Sequence, residues 1–353
     1  MSQPKPRQQT QPEFQAQSTR STQITEPTQP TAPTQPGSRP AHTPRCSDVQ
    51  VEPMPGTAKR DRMYVVFEWP AGWSRDVLDG DTFGAELSTQ IKAHLGSGVG
   101  FQLIRKPGRA GHQMPQRHRV YLVYPEQAYA ELLYVSGPED ILQLDLTGPG
   151  NNKHLDARPS REPLVLVCTH AKRDVCCAVK GRPLAAHMET TAPHDDVVWE
   201  TSHTKGHRFA PAMLLLPWGY SFGRVNEQVG GQLLQAAMEG AYFYPGNRGR
   251  GIYDEPSQAA EVAVAGQLLE AGEQLYYQDL VFAQRLESSD SSADTDTNAD
   301  ASTEICVVEV GHRDGRMWHV TLAQELFDGV VASCGKNPAT KPGWVVTGMT
   351  MSS

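Results

Sequence analysis

The chain has 353 residues, 38% of them hydrophobic, and a formal net charge of −8. That length and apolar content suit a globular protein with one large core or two medium ones, and no apolar run approaches the roughly 20 residues of a membrane-spanning helix. An acidic balance without a basic block argues against nucleic acid as the main partner. Six cysteines, at 46, 168, 176, 177, 306 and 334, are too few and too scattered for a secreted disulfide framework, and the N-terminus lacks the apolar core of a signal peptide, so a cytoplasmic protein is expected.

Residues 1–45 are mostly Gln, Thr, Pro and Ser with almost no aliphatic side chains, which predicts a disordered tail. A first α/β domain is expected over 46–155: a strand at RMYVVFEW (62–69), a helix around FGAELSTQIKAHL, and strands at FQLIRK and HRVYLVY. A second domain, 156–353, starts after a turn-rich segment with PLVLVC, a continuous apolar run of the kind a buried strand uses. Strands follow at VVWETSH and AMLLLPWGYSFGRV, and helices at GQLLQAAMEGAY and PSQAAEVAVAGQLLEAGE. The stretch 287–303 reads as a disordered acidic insertion ahead of a hairpin built from ICVVEV and MWHVTLA. No internal repeat at a fixed period is present.

VCTHAKRDVCC, residues 167–177, concentrates three cysteines and a histidine directly after the PLVLVC strand. Downstream, SHTKGHRFA carries His203 and His207, giving C-x8-C-x25-H-x3-H. Each half has an ordinary reading, since Cys168 suits a small core residue and two histidines four apart suit a solvated loop. Two cysteines and two histidines on consecutive strand-loop units nevertheless favour one shared metal or cluster site. Tetrahedral zinc accepts that donor set, but structural zinc sites usually space their cysteines two to four residues apart. A Rieske arrangement needs a cysteine near His203 or His207, and a thioredoxin-type dithiol needs C-x-x-C; the chain has neither. Adjacent Cys176 and Cys177 offer only a strained vicinal disulfide.

CTHAKRDVCC, VWETSHTKGHRFAPAMLLLPWGYSFGRV, NRGRGIYDEPSQAAE and SCGKNP, together with RCS at 45–47 and WSRDVL at 73–78, resemble the sucrase/ferredoxin-like family over roughly 46–353. The resemblance implies a thioredoxin-like ferredoxin domain after the first α/β domain. It also implies a [2Fe–2S] cluster on Cys168, Cys177, His203 and His207, with Cys176 outside the ligand set. The expected function is one-electron transfer coupled to proton uptake at the imidazoles, by an electron carrier rather than a substrate-converting enzyme, with a redox donor and acceptor of unknown identity. A zinc-stabilised binding module, a thiol oxidoreductase without iron and a metal-free interaction scaffold are the alternatives. Around the site, Arg173 and Asp174 are expected to pair with each other, and His170 to serve as a reserve ligand or hydrogen-bond donor. Lys205 and Arg208 would favour a reduced centre, Gly206 would let the backbone approach closely, and Trp199 would belong to the core. Cys46, Cys306 and Cys334 have no partner by spacing.

Overall fold

The computed structural model describes residues 45–286 and 304–352. The expected tail, apart from Arg45, and the expected insertion at 287–303 lie outside the described residues.

The chain first lays down β1 (Met63–Glu68), α1 (Ala85–Leu95) and β2 (Val99–Arg105), with the two strands parallel. Strand β3 (His118–Tyr124) runs antiparallel to β1, β4 (Tyr129–Val135) antiparallel to β3, and β5 (Arg158–Ser160) completes that edge. The same plan then recurs. Strand β6 (Leu164–Cys168), α2 (Val175–Thr191) and the parallel strand β7 (Val198–Thr201) are followed by β8 (Met213–Leu216), antiparallel to β6, and β9 (Tyr220–Phe222), antiparallel to β8. Helix α3 (Glu227–Glu239) and β10 (Asn247–Arg250) close this second unit. Strand order is β2-β1-β3-β4 in the first repeat and β7-β6-β8-β9 in the second, within one ten-stranded sheet. The expected α/β class holds, and the second repeat has the strand order of a thioredoxin-like unit. Because it is topology that repeats and not residues, no period shows in the sequence.

The repeats meet at the C-terminal ends of β2 and β7, which pair antiparallel over Ile104–Thr201 and Arg105–Glu200. Ser202 N–H donates to the Leu103 carbonyl at 2.8 Å, and the buried Arg105–Glu200 ion pair closes at 2.8 Å. All five residues of β6 are buried, because both faces of the strand are covered. Val165 and Val167 pack with Leu184 and Met188 of α2, whereas Leu164 and Leu166 join Tyr64, Val66 and Tyr121 in a core common to both repeats. That division is the period-two alternation of a strand.

Helix α4 (Glu255–Glu270) follows, started by Asp254, whose carboxylate accepts from Ser257 N–H at 3.1 Å. Its Ala260, Val264 and Ala265 are buried in the core that also takes Val308 and Val320 of a four-stranded antiparallel sheet. That sheet is β11 (Leu280–Arg285), β12 (Ile305–His312), β13 (Met317–Val330) and β14 (Ala339–Ser352), in chain order. Cys306, on β12, is an ordinary member of this core. No helix among the described residues is long and apolar enough to cross a membrane.

Candidate metal centre

Cys168 ends β6, held by its N–H to the Ala212 carbonyl at 2.9 Å. The chain then turns and enters α2 at Asp174, whose Oδ1 accepts from Cys176 N–H at 2.9 Å. A side-chain cap of this kind contributes about 1 kcal/mol and also fixes the rotational phase of the first turn. Successive residues of a helix point about 100° apart. Cys177 therefore faces Cys168, forming a buried cluster with Ala212, while Cys176 faces away toward Cys46, Ala210 and Cys334. Helix and strand are in close contact at Gly181, where an added Cβ would lie 2.1 Å from the Cys168 carbonyl oxygen.

The histidines arrive from the loop after β7. Lys205 and Gly206 both have left-handed backbones, φ +62° and +93°, and the resulting turn folds His207 back toward His203. At Gly206 a side chain is excluded, because its Cβ would come within 2.5 Å of the Arg248 guanidinium. His203 Nδ1 lies 4.0 Å from Cys168 Sγ, and His203 Nε2 lies 3.4 Å from His207 Nδ1. Ligand atoms of Cys168, Cys177 and His203 all fall within 4.8 Å of one another. The fold thus gathers the four sequence-predicted residues, with His207 joined to the other three through His203. Both thiols are buried and both imidazoles are half-buried, so the group has a dry thiol side and a wetter imidazole side.

A hydrogen bond from Cys177 holds the Cys168 thiol well below its ordinary range, helped by His203 and opposed by burial. The same bond pushes Cys177 upward. Burial, and then His203, keep His207 below the usual imidazole range. Its Nε2 is buried without a hydrogen-bond partner among the described residues and lies 3.8 Å from Asp174 Oδ2. Cys168 thus leans toward its anionic form and His207 toward its neutral form, the forms in which these residue types ligate a metal, whereas Cys177 would have to give up its proton on binding.

The surroundings differ from expectation in several places. Arg173 does not pair with Asp174; its guanidinium meets Asp76, from the loop after β1, at 3.3 Å. The Asp174 carboxylate instead accepts from Cys176 N–H, Ser333 Oγ and Cys334 N–H. Burial works to raise its pKa, but the Cys334 and Cys176 N–H donors bring it down to about 2. Arg208 is engaged by Glu52 at 2.5 Å, so its charge is not free to act on the histidines, whereas Lys205 is exposed. His170 is buried with both ring nitrogens unpartnered among the described residues, its edge against Trp73 at 5.8 Å between centroids. Trp199 is fully buried in the shared core, as expected.

Sequence reasoning missed a second group. Cys46 and Cys334, expected to lack partners, meet Cys176: Cys46 Sγ is 3.6 Å from each of the other two sulfurs, and Cys176 and Cys334 are 3.2 Å apart. Both Asp174 oxygens lie 3.7 Å from Cys46 Sγ. The three segments RCS, DVCC and SCGK were visible, but nothing local to any of them signals the others. The corresponding strand ends of the first repeat carry Glu68-Trp69 and Arg105-Lys106, with no cysteine or histidine. Only the second repeat carries the centre, and the first contributes Trp73 and Asp76 to its wall.

A sequence profile described as sucrase/ferredoxin-like matches residues 54–249, which include Cys168, Cys177, His203 and His207. No curated protein and no solved structure matches the chain.

Proposed function

The chain belongs to the sucrase/ferredoxin-like family, and from that premise we propose that it is an electron-transfer protein carrying a [2Fe–2S] cluster on Cys168, Cys177, His203 and His207. The observation that carries this reading is the convergence of those residues at the ends of two parallel strands, with three ligand atoms within 4.8 Å of one another and His207 Nδ1 3.4 Å from His203. The donor set fits: a thiol held toward its anionic form, a second thiol hydrogen-bonded to it, and two imidazoles with nitrogens facing the same region. When bound, the cluster supplies a one-electron redox couple.

The chain's own residues supply the rest. Cys168 and Cys177 anchor the buried side, where water is excluded. The half-buried imidazoles of His203 and His207 form the side open to a partner. His207 Nε2, facing the Asp174 carboxylate at 3.8 Å, is a nitrogen at which a proton can be held close to a compensating charge. Exposed Lys205 favours an added negative charge in the same region. Donor and acceptor are expected to be redox proteins that dock over the histidines.

A single zinc ion is the second reading, because a set of ligand atoms within 4.8 Å also suits one cation. Anaerobic purification followed by an absorption spectrum and iron, sulfide and zinc assays separates the two. The proposal expects a red-brown protein with about two irons and two sulfides per chain. Cys168→Ser and Cys177→Ser should lose the colour and Cys176→Ser should keep it. Zinc as the only metal, or bleaching by Cys176→Ser but not by Cys177→Ser, would overturn the assignment.

A further inference from the structure

We propose that Cys46, Cys176 and Cys334, with one carboxylate oxygen of Asp174, form a second and separate metal site for a zinc-type divalent cation, and that it pins three distant segments together beside the histidine-containing centre. The geometry is close to what such an ion needs. Tetrahedral zinc at about 2.3 Å from sulfur and 2.1 Å from oxygen sets sulfur–sulfur edges of roughly 3.8 Å and sulfur–oxygen edges of roughly 3.6 Å. The three sulfurs here are 3.2, 3.6 and 3.6 Å apart, and Cys46 Sγ is 3.7 Å from each Asp174 oxygen. The sulfurs need only spread by a few tenths of an ångström to reach the edges of such a cage.

Buried cysteines are often just small apolar side chains. Two features distinguish these. All three sulfurs lie within 3.6 Å of one another, and they do so beside a carboxylate that is itself 5% exposed. A buried carboxylate is costly without a counter-charge. Asp174 has only neutral donors within hydrogen-bond distance, the N–H groups of Cys176 and Cys334 and the hydroxyl of Ser333. A divalent cation here would bind this oxygen directly, each of the three thiols giving up its proton to ligate it, while the same three donors orient the carboxylate from outside, the usual arrangement around a structural ion.

The ligands come from parts of the chain far apart in sequence. Cys46 lies 130 residues before Cys176, and Cys334 lies 158 residues after it in the loop between β13 and β14. An ion here would tie the segment ahead of β1 and the outer hairpin of the second sheet to the first turn of α2. It would do so one residue from Cys177, with Asp174 Oδ2 3.8 Å from His207 Nε2 and Cys46 Sγ 3.8 Å from the His207 carbonyl oxygen.

The experiment uses the full chain, purified anaerobically with reductant. The expected result is about one zinc per chain in addition to any iron. After zinc is removed by chelation, Co²⁺ should give the sulfur-to-cobalt charge-transfer and intense d–d bands of a tetrahedral thiolate site. Cys46→Ser and Cys334→Ser should lose the zinc and keep the iron and sulfide, whereas Cys168→Ser should lose the iron and keep the zinc. That reciprocal pattern also separates this proposal from the cluster assignment, since either half can fail alone. Absence of zinc together with absence of thiolate bands from Co²⁺ in the unsubstituted chain overturns it. So does zinc that follows Cys168 rather than Cys334, or a Cys176–Cys334 disulfide found by mass mapping under non-reducing conditions.

Discussion

The contact between α2 and β6 makes a sharp prediction from one methyl group. Alanine is normally better than glycine inside a helix by about 1 kcal/mol, so Gly→Ala there should stabilise unless the added carbon has no room. At Gly181 it has none: its Cβ would sit 2.1 Å from the Cys168 carbonyl oxygen, and the two would have to separate by about 0.9 Å to reach even the 3.0 Å that Cβ atoms essentially never undercut. Neither atom is on a flexible side chain. The whole helix must lift from the strand, and with it Cys177 moves away from Cys168. Overpacking of this kind costs about 1–3 kcal/mol, which outweighs the propensity gain. Gly231, in α3, is the control, since nothing lies within 4 Å of its added Cβ. Urea unfolding should find Gly181→Ala destabilised by about 1–3 kcal/mol and Gly231→Ala stabilised by about 0.5–1 kcal/mol. Iron content should fall in the first variant alone. A Gly181→Ala protein as stable and as metal-loaded as the unsubstituted chain would refute the argument.

A buried acid gives a pH signature elsewhere. Burial pushes Glu261 up from 4.5 to about 7 against the pull of Arg250 and of the Tyr220 hydroxyl, which donates to it at 2.5 Å. The folded state therefore binds the extra proton, and stability from this residue is present below about pH 4.5 and falls by about 3 kcal/mol as pH rises to 7. Unfolding midpoints across that range should fall less steeply in Glu261→Gln; parallel profiles for the two proteins count against the assignment. At the seam between repeats, Arg105→Leu leaves Glu200 buried and unpaired and should cost about 3–5 kcal/mol in urea unfolding, most of it recovered in the Arg105→Leu/Glu200→Leu double variant. In cluster-loaded protein the midpoint potential should lie above the roughly −400 mV of an all-cysteine plant-type centre. Above the oxidised-state pKa of a ligating histidine it should fall with pH by up to about 59 mV per unit. His207→Cys should lower the potential and flatten that slope; voltammetry that finds the unsubstituted protein flat from about pH 6 to 10 would exclude ionisable imidazole ligands.

Legibility in the sequence followed how local the physical cause was. LVLVC and VWET announce themselves because strands covered on both faces read as continuous apolar runs. Helix α2 went unread: Gly181 and Pro183 sit inside it, and the first exists for the strand contact, not for the helix. Strand β14 carries Pro342 and Gly343, which look like a loop but are tolerated on the outer strand of its sheet. β10 is NRGR, four buried residues with no apolar pattern, and its Arg250 is held by carbonyls of Trp218 and Pro125. The histidines and the eight-residue cysteine spacing were legible because each pair lies on one strand-loop unit. The group formed by Cys46, Cys176 and Cys334 was not, since only the folded chain closes separations of 130 and 158 residues.

In a written sequence Cys176-Cys177 looks like redundancy, a spare thiol next to a working one. In space the pair behaves like two teeth on opposite flanks of a gear whose angle is set by Asp174. Deleting or inserting one residue between the cap and the cysteines would turn the wheel by about 100°, and both flanks would disengage together, Cys177 from Cys168 and Cys176 from Cys46 and Cys334. Substitutions can be absorbed one flank at a time, but a change in length here cannot.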